Sequence, residues 1–69
     1  MTCVQEGVVL QVVHGRMADG PYYQGDGEWG SFGGARIYYS RGAMRDGLRE
    51  AKEKPPEDGA KIVPFRVYV

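Results

Sequence analysis

The chain has 69 residues, no formal net charge at neutral pH and one cysteine, Cys3. A single thiol excludes an intramolecular disulfide and a cysteine-rich zinc site, and a neutral chain is atypical of nucleic-acid-binding proteins. No apolar run approaches the ~18 residues of a membrane span and no signal-peptide pattern opens the chain, so we expect one cytoplasmic domain over residues 1–69 without membrane contact.

The first predicted element is a β-strand from Val4 to His14. Its valines fall on both faces, because Val8 and Val12 alternate with Val9 and Val13. A strand that is apolar on both faces is typical of the centre of a sheet, or of a strand with one end covered on both sides.

The segment from Gly15 to Gly34 contains seven of the eleven glycines, mixed with aromatic and acidic residues. A structureless stretch of this length is unusual in a small domain, so we predict a hairpin with arms at residues 22–24 and 28–32 and a turn at 25–27. The aromatic side chains either cover the sheet or bind a partner. We favour binding for two of the four, because so small a core has little room for all of them. The candidate partner-binding residues in this segment are Tyr22, Tyr23, Asp26, Glu28, Trp29 and Phe32.

A second strand over residues 35–39 is predicted to lead directly into the helix. Ser40 suits the N-cap position, because its hydroxyl can accept a hydrogen bond from the first turn, and the helix should extend from Arg41 to about Lys54. Small or apolar residues at i, i+3, i+4 and i+7 form the face that should pack on the sheet. They are Met44, Gly47, Leu48 and Ala51.

A second face of the helix is basic, with Arg41, Arg45, Arg49 and Lys52 at i, i+4, i+8 and i+11. Charge is uneven along the whole chain: residues 1–34 carry a balance of −3 and residues 35–69 a balance of +3. The basic face is either solvated or recognises an acidic partner or phosphates. The three arginines are therefore further candidates for partner binding.

The double proline Pro55-Pro56 should end the helix, and residues 57–59 should turn the chain into a last strand from Ala60 to Val69. Pro64 lacks an N–H group, which predicts an edge strand or a bulge. The strand–helix–strand unit is long enough for a parallel crossover. We expect the helix to cover the apolar residues Val63, Phe65, Val67 and Val69.

The predicted fold class is α+β, a sheet of three to five strands with one helix packed on one face. The element order is strand, glycine-rich hairpin, strand, helix and strand.

Two runs of residues define the layout of the second half of the chain. Arg-Ile-Tyr-Tyr-Ser-Arg-Gly-Ala-Met-Arg-Asp-Gly-Leu occupies residues 36–48 and, after a turn, Ile-Val-Pro-Phe-Arg-Val occupies residues 62–67. In layout, residues 35–69 resemble the small orphan host-interaction proteins of tailed bacteriophages. The resemblance implies a compact protein in the host cytoplasm that binds and inhibits or redirects a host protein, such as RNA polymerase, a nuclease or a defence enzyme. It carries no position-specific motif and therefore implies no particular site residue.

The sequence shows no arrangement typical of catalysis. A nucleophile needs an oriented base beside it, whereas Cys3 and His14 lie at opposite ends of the first strand, about 35 Å apart if the strand is continuous. No second Cys or His stands at a metal-ligand spacing from His14, which we interpret as a strand-end residue. We therefore expect a non-enzymatic protein without a metal or cofactor.

Three functions remain open. The first is an inhibitor or adaptor that binds a host protein. The second is a nucleic-acid or nucleotide-binding protein, for which the contact residues would be Arg36, Tyr38, Arg41 and Arg45. The third is a structural component that forms a homodimer through an edge strand.

Overall fold

The structure, a computed structural model, describes residues 5–68. Cys3, Val4 and Val69, to which the sequence analysis refers, lie outside the described residues. The described elements are strands β1 (Glu6–Val13), β2 (Tyr22–Gly25) and β3 (Glu28–Gly30), a short 3₁₀ helix (Phe32–Gly34), helix α1 (Arg41–Glu53) and strand β4 (Lys61–Tyr68). One helix and an antiparallel four-stranded sheet of order β3-β2-β1-β4 confirm the predicted α+β class.

Strand β1 lies inside the sheet, as its valines on both faces predicted. β2 pairs with one edge of β1 and β4 with the other. Val9 on one face and Val12 on the other are 1% and 0% exposed. The buried amide of Gln11 donates hydrogen bonds to the carbonyl oxygens of Ala18 (2.9 Å) and Gly20 (3.0 Å), which satisfies a polar group that would otherwise be costly to bury.

The pairing register divides the strand residues into two faces, because residues directly opposite each other point the same way. We name the side that α1 covers the helix face and the other side the open face. The helix face comprises Glu6, Val8, Leu10, Val12, Tyr23, Trp29, Ile62, Pro64, Arg66 and Tyr68. The open face comprises Gly7, Val9, Gln11, Val13, Tyr22, Gly30, Lys61, Val63, Phe65 and Val67.

Strands β2 and β3 form the predicted hairpin. Tyr22 pairs with Gly30 and Tyr23 with Trp29, and a register irregularity follows Tyr23. The turn contains positive φ angles at Asp26 (53°) and at the glycines on either side of it. Glycine adopts this left-handed conformation without the clash of a Cβ atom, which explains the glycine–aspartate–glycine turn.

Helix α1 begins and ends close to where the sequence predicted. The Ser40 hydroxyl accepts a hydrogen bond from the backbone N–H of Ala43 at 3.1 Å, which satisfies one of the free donors of the first turn. The helix stops at Glu53, just before the double proline. Its predicted inner face packs on the sheet: Gly47 and Ala51 are buried, while Met44 and Leu48 are half-buried against the core.

The core lies between α1 and the helix face of the sheet. Its smallest gap is at Gly47, where an added Cβ would overlap the end of the Tyr38 ring. Glycine at this position therefore lets the helix lie close to the sheet. The buried core residues are Leu10, Val12, Tyr23, Tyr38, Ala51 and Ile62.

The predicted strand over residues 35–39 is wrong. Only Tyr38 pairs, through an isolated antiparallel bridge in which it exchanges two backbone hydrogen bonds of 2.8 Å with Val8. The physical reason is competition for one edge of β1. β2 occupies the same edge at Gln11, so little of it remains for a further strand.

The predicted inner face of the last strand is also wrong. Ile62, not Val63 or Phe65, joins the core under α1, and Val63, Phe65 and Val67 lie on the open face. Both faces of β4 carry apolar residues, so alternation alone did not determine which face α1 covers. The parallel crossover that the sequence allowed does not form either, because every described strand pair is antiparallel.

Pro64 lies on an edge strand, as predicted. Val8 and Val12 direct their backbone groups toward Tyr38 and Pro21, on the β2 side of β1, and Leu10 between them faces the same way. Pro64 is directly opposite Leu10, so its nitrogen points outward to the free edge. A missing donor in the middle of that edge disfavours a homodimer built by edge-to-edge pairing.

Two glycine substitutions in α1 test how closely the helix lies on the sheet. Gly47→Ala should lower the free energy of unfolding, because the methyl group would overlap Tyr38, although alanine favours helices by up to ~1 kcal/mol. Gly42 has open space around it, so the control Gly42→Ala should raise the free energy of unfolding by up to about 1 kcal/mol. Urea denaturation followed by circular dichroism measures both. Equal stabilisation by the two substitutions would show that α1 does not approach Tyr38 closely.

Candidate protein-binding site

The structure separates the candidate site residues predicted from the sequence into four places. Tyr23 and Trp29 lie on the helix face, and Tyr22 lies on the open face. Asp26 and Glu28 lie at the tip of the β2–β3 hairpin. The remaining residues are Phe32, which stacks on Tyr22, and Arg41, Arg45 and Arg49, which lie exposed on α1.

Tyr23 and Trp29 fasten the hairpin to α1. Tyr23 is 0% exposed, and its ring lies 5.0 Å from that of Trp29 between centroids. The indole N–H of Trp29 donates a hydrogen bond of 2.8 Å to the carbonyl oxygen of Lys54 at the end of the helix. Tyr23 is therefore a core residue whose side chain is unavailable to a partner, and Trp29 is partly committed to packing.

Glu50 joins the hairpin turn to the helix. Its carboxylate accepts hydrogen bonds from the Tyr23 hydroxyl and from the backbone N–H of Asp26, the latter at 3.0 Å. The bond from Tyr23 lowers the pKa of Glu50, while burial, followed by the bond to Glu50, raises the pKa of Tyr23. The sequence indicated only an acidic helix face, because no local pattern shows that a turn some 24 residues earlier meets this carboxylate.

The open face presents aromatic and aliphatic side chains to solvent. Phe65 is 36% exposed in the middle of β4, and it pairs with the buried Val9. On the other side of β1, Tyr22 is half-buried and packs edge-on against Phe32, with 5.1 Å between ring centroids; Phe32 itself is 52% exposed. Tyr22 and Phe65 lie on the strands to either side of β1 and point to the same face, so together with Phe32 they belong to one side of the sheet.

The segment between β3 and α1 extends this surface. Tyr38 points to the helix face, so its neighbours Ile37 and Tyr39 point the opposite way. Both lie over Gly7, where an added Cβ would overlap Ile37 and press on the Tyr39 ring. Tyr39 remains 51% exposed.

Charge is nearly absent from the open face. Among its ten strand residues, only Lys61 carries a formal charge, and it lies at the end of β4 beside the chain reversal. Loops cover part of this face, since Val9 is 1% exposed, but the aromatic side chains that remain in contact with water would be more favourably placed against another apolar surface.

On the helix face, beside the start of α1, lies a cleft of about 370 Å³. Most of the residues that line it belong to that face or to the helix above it, among them Val8, Tyr38, Met44, Pro64 and Arg66. The cleft therefore lies on the α1 side of the sheet and is not part of the open face. The sequence analysis missed this cleft, because it depends on the angle at which α1 crosses the sheet.

The three arginines of α1 form a separate basic stripe. Arg41, Arg45 and Arg49 are exposed, and the ion pairs found among residues 5–68 involve none of them. The helix packs on the helix face of the sheet, so its exposed stripe lies on the other side of the molecule from the open face. One small partner surface cannot cover both.

The four residues of the nucleic-acid alternative do not form one basic aromatic surface. Tyr38 is 8% exposed, so its ring cannot stack on a base, and the Arg36 guanidinium lies 5.8 Å from the centre of that ring. Asp46 and Glu50 line the same shallow cleft as Arg36. Two carboxylates beside the cation would repel a phosphate.

Among residues 5–68 there is no group of three His, Cys, Asp or Glu side chains arranged to hold a metal ion. His14 does meet Asp19 and Glu57, but its two ring nitrogens point to different carboxylates. The three side chains thus converge on the ring and not on a common empty point.

No family model matches the chain, and neither a curated protein nor a solved structure is significantly similar to it. The described part of the chain contains no helix with the length and apolarity to cross a bilayer. The surfaces of the domain are therefore the evidence for its function.

Glu50→Ala, with Glu53→Ala as a control on the same helix, tests the attachment of the hairpin. Glu50→Ala should lower the urea midpoint and the hydrogen-exchange protection of the Asp26 amide, because it removes the oxygen that accepts both hydrogen bonds. The pKa of Glu50 in the folded protein is lower than its ordinary value of 4.5. The contribution of Glu50 to the free energy of unfolding is therefore present above pH 4.5 and is lost as the pH falls through the lower, folded pKa. If Glu50→Ala reduced the hydrogen-exchange protection of the Asp26 amide no more than Glu53→Ala does, Glu50 would not have this role.

Proposed function

We propose that the protein is a non-catalytic binding protein whose open face covers an apolar surface of another protein. One observation carries the proposal: Phe65, Tyr39 and Phe32 remain exposed, and Tyr22 half-buried, on the side of the sheet whose named strand residues include a single charged one. Surfaces of this kind on small proteins mark interaction sites more often than scattered apolar residues do.

A protein partner fits the open face better than a nucleic acid. Binding to nucleic acids derives much of its affinity from cations placed against phosphates, and the open face offers Lys61 alone among its strand residues. Aromatic side chains on a rigid sheet, in contrast, are typical of the few residues that dominate protein–protein affinity. The backbones of Phe65 and Tyr22 are already ordered by strand pairing, so fixing them in a complex costs little conformational entropy.

The biological setting of this proposal comes from the resemblance to phage proteins. On that basis the partner would be a host protein in the cytoplasm, which binding inhibits or redirects.

The arginine stripe supports a second candidate, recognition of an acidic protein surface or of phosphates, because its three guanidinium groups have no described acidic partner.

Affinity capture with matched variants tests the choice of surface. The bait proteins are wild type, Phe65→Ser on the open face and Tyr68→Ser as a control, because Tyr68 is an exposed aromatic of the same strand on the other face. A triple variant of Arg41, Arg45 and Arg49 to Glu tests the stripe. Each bait is used on nuclease-treated and untreated host lysate, after circular dichroism has confirmed that it is folded.

We expect one host protein to be captured regardless of nuclease, and to be retained by Tyr68→Ser and by the arginine variant. Phe65→Ser should weaken its binding at least about fivefold, corresponding to the ~1 kcal/mol or more that a hot-spot residue contributes. Capture that depends on nucleic acid, or that only the arginine variant loses, would transfer the function to the stripe. Equal capture by Phe65→Ser and wild type would refute the proposal.

A further inference from the structure

His14 lies between two carboxylates that come from different parts of the chain. Its Nδ1 atom is 2.9 Å from Oδ1 of Asp19, and its Nε2 atom is 2.7 Å from Oε1 of Glu57. Asp19 belongs to the turn that follows β1, five residues away, whereas Glu57 belongs to the connection between α1 and β4, some 43 residues away.

The geometry determines the protonation state of the ring. An ionised carboxylate offers acceptors only, and a neutral imidazole has one N–H group and one acceptor nitrogen. Both contacts can be hydrogen bonds only when both ring nitrogens carry protons. The structure is therefore that of the imidazolium form, and a neutral ring must give up one of the two bonds.

The two carboxylates differ in what else holds them. The turn that contains Asp19 is fixed by the Gln11 amide, which bonds to Ala18 and Gly20, and by backbone bonds between His14 and Met17. The connection over residues 55–60, within the described chain, is tied to β1 by the side-chain bond from His14 to Glu57. Loss of the ring proton should therefore free Glu57 rather than Asp19.

We propose that His14 is a pH-dependent clasp, which in its protonated form binds the α1–β4 connection to the end of β1 and releases that connection when it loses a proton. The carboxylates of Glu57 and Asp19 face the ring directly. The other charged residues of the two loops are Arg16, which follows His14 in the chain, and Asp58, which follows Glu57; Lys61, the first residue of β4, lies opposite Val13.

The direction of the effect follows from the contacts. The hydrogen bond with Glu57, and then that with Asp19, raises the pKa of His14 above its ordinary 6.5. While the two carboxylates are ionised, the clasp closes as the pH falls and opens as the pH rises through the folded pKa of His14, which lies above 6.5.

An NMR titration of the free, full-length protein from pH 5 to 9 tests the clasp without any partner. We expect the His14 ring to titrate above its ordinary value of ~6.5, and the backbone amides of residues 57–60 to shift with the same midpoint. Glu57→Gln should lower the ring midpoint and abolish the shifts of residues 57–60. Asp19→Asn should lower the ring midpoint but preserve those shifts.

Two results would overturn the clasp. One is a wild-type ring midpoint at or below about 6.5, which would show that the carboxylates do not hold the second proton. The other is a titration of residues 57–60 that persists unchanged in Glu57→Gln, which would assign their response to another group.

Discussion

The rest of the structure depends on a central strand that is apolar on both faces. Val12 and Leu10 of β1 are buried under α1, and Val9, which points the other way, is buried as well. The described residues supply one helix, and one helix covers one face of a sheet. The opposite face is therefore left to partial cover by loop side chains, and this shortage of covering elements produces the open face.

The sequence predicted most of the fold because the relevant signals are local. Ser40 caps the helix and the glycine–aspartate–glycine turn closes the hairpin, each through interactions within a few residues, and Pro64 disfavours a central strand because it lacks an N–H group of its own. The inner face of β4 could not be predicted, because Ile62 and Val63 are both apolar. Which of the two is buried depends on the side of the sheet on which α1 packs. The same limit applied to the tyrosines: adjacent Tyr22 and Tyr23 belong to opposite faces, and only the register distinguishes them.

The structure differs from the sequence-based expectation more in the candidate site than in the fold. The predicted contact residues combined an aromatic hairpin with a basic helix, but Tyr23 and Trp29 pack under that helix and only Tyr22 and Phe32 lie on the open face. The open face instead joins Tyr22 and Phe32 to Tyr39 and Phe65, which the sequence analysis had assigned to strand packing. Glu50 attaches the hairpin turn to α1, and His14 attaches the α1–β4 connection to the end of β1.

Tyrosine nitration, mapped by mass spectrometry in the free protein and in its partner complex, tests most directly the claim that the open face is the binding surface. In the free protein, Tyr39 and Tyr68, which are 51% and 65% exposed, should react, whereas the buried Tyr23 and Tyr38 should not. In the complex, Tyr39 should become protected while Tyr68, on the helix face, stays reactive. A complex that protects Tyr68 and leaves Tyr39 as reactive as in the free protein would contradict the account.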